Sequence, residues 1–82
     1  MEKSKSIAYV TFKIKNTDRI ELLEQLKHVP LTDISYKFLL DIIAGLSYKE
    51  LAAKYHKSES RIYKWKREIY EQLYKFDMRK LS

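Results

Sequence analysis

From Lys54 to Arg67 the chain carries Lys54, Lys57, Arg61, Lys64, Lys66 and Arg67 against Glu59 alone. A cation block of this density creates a field that attracts polyanions. Within it, Tyr63, Lys64 and Arg67 combine positive charge with hydrogen-bonding and aromatic groups at helical spacing. The Arg67 guanidinium can grip the O6 and N7 of a guanine, a contact worth about 1–3 kcal/mol of base discrimination. Lys64 can donate to the same edge, and Tyr63 can meet a thymine methyl group or a phosphate. Against this chemistry stands a plainer one. Arg67 with Glu71 and Lys64 with Glu68 have the spacing of surface ion pairs, each worth well under about 1 kcal/mol. A charge run alone also describes a solvated helix face.

Other chemistries find little support. The chain has no cysteine and only two histidines, His28 and His56, too few to close a zinc site. Both read as ordinary polar residues, and neither a metal nor a cofactor is expected. No paired carboxylates lie in an apolar setting, and there is neither a nucleophile–base pair nor a glycine-rich phosphate loop. The chain reads as a non-enzyme with no small-molecule ligand. No run approaches the roughly 18 apolar residues needed to cross a bilayer, and residues 1–15 lack the features of a signal peptide. The expectation is a cytoplasmic protein that does not engage membranes.

The elements that must position the basic block follow from patterning. Eighty-two residues with a net charge of +6 allow one domain with a marginal core, held by helix packing and helped by any partner subunit. Residues 1–46 hold seven Lys/Arg against six Asp/Glu, and residues 47–82 hold ten against five. From Ile7 to Lys15 apolar and polar residues alternate, with Ala8, Val10, Phe12 and Ile14 on one side, which predicts a short β-strand or extended arm. A lone strand leaves its edges unpaired and points to pairing between subunits. Asn16-Thr17-Asp18 marks a helix start, with Asp18 and Glu21 as a capping box and Ile20, Leu22, Leu23 and Leu26 as the apolar stripe before Pro30. A second helix begins at Thr32 or Asp33, turns Ile34, Phe38, Leu39, Ile42 and Ile43 inward, and stops at Gly45 in a left-handed cap. Ser47 and Glu50 form the capping box of a third helix, whose inner face is Leu51, Ala52 and Tyr55. His56-Lys57-Ser58 breaks it, and Ser58 caps the last and longest helix. With Ile62 at zero on a helical wheel, Trp65, Ile69, Leu73 and Phe76 fall within about 60° of it. Ser60, Tyr63, Lys64, Arg67, Glu71 and Tyr74 lie opposite. Lys66 sits at the margin of the apolar stripe, placed to stretch its ammonium toward a phosphate. The aromatics Tyr70, Tyr74 and Phe76 either close the core or offer a dimer surface.

Two helices joined by a three-residue break, the second with a basic outer face, describe a helix-turn-helix. The major groove admits one helix while the preceding one braces it across the backbone. Small Ala52 suits the close approach of the two. The run Leu31-Thr32, then Ile42-Ile43-Ala44-Gly45-Leu46-Ser47-Tyr48-Lys49-Glu50-Leu51-Ala52, then Ser58, Ile62, Ile69 and Leu73 resembles the LuxR-type output domain of bacterial regulators. Region four of bacterial sigma factors shares the plan. The resemblance spans Leu31 to Leu73 and implies a tetrahelical module whose last helix enters the groove. By position it implies base contacts from Tyr63, Lys64 and Arg67. It implies backbone contacts from Ser58, Ser60 and Arg61, with Tyr48 and Lys49 at the start of the scaffold helix. Lys57, where the family is apolar, and His56, where glycine or asparagine would ease a left-handed turn, depart from the pattern. With 30 residues ahead of the module, control by a receiver or ligand-binding domain is not expected. The segment Ile62-Tyr63-Lys64-Trp65-Lys66-Arg67 also resembles the recognition end of some phage terminase small subunits and transposases.

The fold expected is therefore all-α: about four helices containing a tetrahelical helix-turn-helix, with one N-terminal strand or arm. Residues 1–30 form the arm and first helix, 31–76 the module and 77–82 a tail. The partner expected is double-stranded DNA, with a possible homodimer through the strand at 7–15 or through the aromatic end of the last helix. The role expected is a small transcriptional regulator. The alternatives are a recognition subunit for packaging or transposition, and a protein-binding adaptor of the same shape. The lysine-, isoleucine- and tyrosine-rich composition fits an AT-rich genome such as that of a phage or mobile element.

Overall fold

The structure, a computed structural model, describes residues 5–81. It is all-helical, with α1 Lys5–Asn16, α2 Arg19–Leu26, α3 Asp33–Ile43, α4 Tyr48–Tyr55 and α5 Glu59–Leu81. Two sequence expectations give way here. The segment 7–15 is helix, and the described helices number five rather than four. An isolated strand has no ladder in which to place its backbone hydrogen bonds, whereas a helix satisfies them within itself. In the helical frame Ser6 and Val10, four apart, are the buried residues of α1, so Phe12 turns outward instead of joining Val10. The strand expected at 7–15, through which subunits would pair, is thus a helix.

The chain divides into two compact units: one takes the described residues up to Pro30 and those from Tyr70 onward, the other is Leu31–Ile69. In the first unit Val10, Leu22, Leu26, Tyr70 and Leu73 are buried. Polar contacts tie α1 to the end of α5. The Tyr9 hydroxyl donates to the Asp77 carboxylate at 2.9 Å, Lys13 pairs with the same carboxylate, and the Tyr9 ring meets Tyr74 edge-on at 5.4 Å. Tyr70 and Tyr74 thus work inside this unit. Asn16 closes α1 by donating from Nδ2 to the Phe12 carbonyl at 2.8 Å. Asp18 stands at the N-cap of α2, but its side chain makes no capping bond, and the expected box with Glu21 does not form. The apolar face of α2 is Leu22 and Leu26, while Ile20, expected inside, is 80 % exposed.

In the second unit Phe38, Leu39, Leu51, Ile62 and Ile69 are buried. Thr32 caps α3 by accepting from the Ser35 N–H. At its other end Gly45 adopts φ +97°. The Gly45 N–H reaches the Ile42 carbonyl at 3.0 Å and the Leu46 N–H the Asp41 carbonyl at 3.1 Å, the paired bonds of a glycine-terminated helix. Ile34, expected inside, lies on the outer face of α3 at 56 % exposure. Trp65 of α5 stacks on Phe38 with ring centres 4.0 Å apart and meets Tyr55 edge-on at 5.3 Å. This aromatic cluster fixes α5 against α3 and α4 and decides which α5 face is left outside.

Candidate nucleic-acid interface

The turn between α4 and α5 places the candidate residues. Ser47 accepts from the Glu50 N–H while the Glu50 carboxylate accepts from the Ser47 N–H at 3.0 Å, so the capping box expected at the start of α4 is present. Hydrogen bonding to the carboxylate from the Ser47 backbone, and secondarily from its side chain, holds the Glu50 carboxyl below its usual range. The negative charge kept at this helix start competes with any incoming anion, leaving attraction of phosphate to Lys49 and the Tyr48 hydroxyl. At the far end His56 takes a left-handed conformation, φ 54° and ψ 46°. The Ala52 carbonyl accepts from both the His56 and Lys57 N–H groups. Ser58 then caps α5 by accepting from the Arg61 N–H at 3.2 Å. Its own hydroxyl proton remains available to an oxygen acceptor.

On α5 itself Ile62 and Ile69 are buried and Trp65 half-buried, whereas Ser60, Arg61, Tyr63, Lys64 and Arg67 are exposed. Of the residues the wheel places outside, Ser60, Tyr63, Lys64, Arg67 and Glu71 are exposed, while Tyr74 is half-buried against Tyr9. Neither of the spaced ion pairs, Arg67 with Glu71 or Lys64 with Glu68, forms. The ion pairs seen include Lys13–Asp77, Lys27–Glu24 and Lys54–Asp41, none of which uses a cation of this face. Lys49, Arg61, Lys64 and Arg67 therefore present uncompensated charge to solvent.

The other predicted residues are more engaged. Lys66 donates to the Tyr48 hydroxyl at 3.0 Å and lies 5.0 Å from the centre of its ring. Tyr48 in turn meets Tyr63 edge-on at 6.1 Å, and Tyr63 keeps 46 % of its surface exposed. Tyr48, Tyr63 and Lys66 are thus one cluster joining the start of α4 to the outer side of α5. Since the Tyr48 oxygen accepts from Lys66, its hydroxyl proton is left to donate outward.

Two features of the basic block escape sequence reasoning. Lys54 is not a free cation: its ammonium lies 2.9 Å from the Asp41 carboxylate, which also accepts from the Tyr55 hydroxyl at 2.6 Å. Burial disfavours the Asp41 anion, but the bonds from Tyr55 and Lys54 outweigh it and hold the carboxyl below its ordinary value. Burial, reinforced by Asp41, pushes the Tyr55 hydroxyl up to about 12. Asp41 is remote in sequence from both partners, so no spacing rule marks the contact. Lys57, where the resemblance implies an apolar residue, places its ammonium 5.6 Å from the centre of the Trp65 ring. A cation over an indole face replaces the missing apolar contact. The signal for it was the tryptophan eight residues on.

His28 and His56 are both exposed, and no metal-holding group of His, Asp and Glu occurs among the described residues. No described helix is long and apolar enough to cross a membrane. Compared with known proteins, the chain matches no family model, no curated protein and no solved structure.

Proposed function

We propose that this chain is a sequence-selective DNA-binding regulator that lays the start of α5 in the major groove, with α4 bracing it across the phosphate backbone. The observation that carries the reading is the solvent-facing set Tyr63, Lys64 and Arg67, its two cations without ion-pair partners, on a helix whose opposite side is buried. The groove is about 12 Å wide and accepts one α-helix, and a face with no acidic partner keeps its donors free for base edges. Arg67 takes a guanine, Lys64 an adjacent acceptor and Tyr63 a thymine methyl group. Lys49, Arg61, Ser58, Ser60 and the Tyr48–Lys66 pair reach phosphates. The left-handed turn at His56 and the capped starts of α4 and α5 are what a helix-turn-helix of the LuxR or sigma-factor region-four kind requires. Such a role belongs in the cytoplasm, where the chromosome is.

Selection of bound duplexes from a random pool tests the proposal. Enrichment of a short motif containing guanine supports it. Recovery of an unenriched pool removes sequence selectivity, and recovery of no duplex leaves a protein-binding adaptor as the better account.

A further inference from the structure

Two large apolar side chains of the first unit face away from its buried residues. Phe12 is 68 % exposed on α1 and Ile20 is 80 % exposed at the start of α2. Each is two positions from a buried residue, Val10 and Leu22 respectively, which places it on the opposite side of its helix. One turn of α1 and a short connection separate them, so their Cα atoms lie within about 18 Å. A standard interface takes about 800 Å² from each partner, a patch roughly 30 Å across. Both side chains fit within one such patch.

The charges around them are segregated by helix. The described part of α1 carries Lys5, Lys13 and Lys15 and no acidic residue. Asp18 at the α2 N-cap is followed by Glu21 and Glu24, with Arg19 as the one base in α2. Lys13 is taken by Asp77 and Glu24 by Lys27. Lys15 and Glu21 are exposed; the latter has only a long contact, 3.5 Å, from the Gln25 amide.

We infer that the α1–α2 corner is a self-association face and that its occupant is a second copy of this chain. Around a twofold axis, α1 of one copy lies against α2 of the other and the same contact repeats in reverse. Basic α1 then meets acidic α2 twice, Lys15 faces the partner copy's Glu21, and Phe12 and Ile20 are covered between them. A polyanion or an anionic membrane would match α1 but be repelled by α2. The inference does not rest on DNA binding, and its test contains no DNA.

Sedimentation equilibrium of the full chain across the micromolar range reads the association directly. A reversible monomer–dimer equilibrium is expected, weakened at least about tenfold by Phe12→Glu and, independently, by Ile20→Glu. Because both side chains are exposed, helical circular dichroism of the two variants should match that of the parent. Lys15→Glu or Glu21→Lys alone should weaken the dimer, and the double reversal should restore it. A monomer at every concentration, a dimer indifferent to Phe12→Glu and Ile20→Glu, or a double reversal no better than its single parents would overturn the inference.

Discussion

At the scale of single residues, the basic block from Lys54 to Arg67 holds two kinds of cation that differ in what surrounds them. Arg67 and Lys64 are exposed and unpaired on the outer face, while Lys57 lies over Trp65 and Lys54 is held by Asp41. If Arg67 reads a base, Arg67→Ala relaxes preference at one base pair and costs about 1–3 kcal/mol on the best site. If Lys49 meets a phosphate, Lys49→Ala weakens all sequences alike. Binding isotherms on the preferred duplex and on single-position variants of it check this, and identical behaviour of the two variants would refute the division of roles. A second prediction concerns the turn. His56 holds a left-handed backbone, which costs a residue with a Cβ about 1–2 kcal/mol. Glycine removes that cost but adds chain entropy to the unfolded state. The expected net effect of His56→Gly is a gain of about 0.5–1 kcal/mol, read from urea denaturation midpoints. No such gain awaits Gly45→Ala. A Cβ at Gly45 would meet open space, yet its φ of +97° is strained for any side chain, and the variant should lose stability. These positions were legible in the sequence because each announces itself locally: a lone glycine after an apolar stripe, a polar break before a serine cap.

Legibility is best at helix starts marked by a capping side chain and poorest where contacts between elements decide. The starts of α3, α4 and α5 follow from Thr32, Ser47 and Ser58, whose side chains bond to N–H groups three residues on. The outer face of α5 follows from one periodicity sustained over about four turns. α1 was misread because Ile7, Tyr9, Val10, Thr11, Phe12 and Ile14 favour strands and happen to alternate. What makes them helical is tertiary: Tyr9 and Lys13 converge on Asp77, sixty-odd residues away. The Asp41 clamp is invisible for the same reason. That clamp has a measurable signature at alkaline pH. The folded-state pKa of Tyr55, about 12, lies above its ordinary value of 10.0. The stability linked to its proton is therefore complete below pH 10 and is lost as pH rises toward 12. Thermal denaturation should show a falling midpoint over that window. Tyr55→Phe should lower the midpoint at neutral pH by the equivalent of about 1 kcal/mol, the loss of one hydrogen bond. It should also make the alkaline decline shallower, the remainder coming in part from Tyr9, which burial and Asp77 likewise shift upward. An equally steep decline in Tyr55→Phe would show that the clamp does not link α3 and α4 energetically.

For the whole molecule, net charge is a poor guide to where a polyanion would bind. Divided by compact unit, the chain holds nine basic against six acidic residues in the first and eight against five in the second. Each unit is thus +3. Both commit two acids internally, Asp77 and Glu24 in the first and Asp41 and Glu50 in the second, so what distinguishes the second is its free cations. Lys49, Arg61, Lys64 and Arg67 stay exposed without ion-pair partners. The local field, not the total, then sets the number of phosphates neutralised. If the proposed DNA binding holds, with Lys49, Arg61 and Lys66 reaching the backbone and Lys64 near it, about three to four counterions would be released per chain. At about −0.9 per phosphate the log–log dependence of affinity on salt has a slope of roughly −3 to −4. That corresponds to a loss of roughly 60- to 250-fold between 50 and 200 mM salt. Lys49→Ala and Arg61→Ala should each reduce the slope by about one. Lys54→Ala, which removes a cation already neutralised by Asp41, should leave it unchanged. A slope near zero, or an equal response to all three variants, would mean that binding draws on total charge and that the exposed face of α5 has no special role.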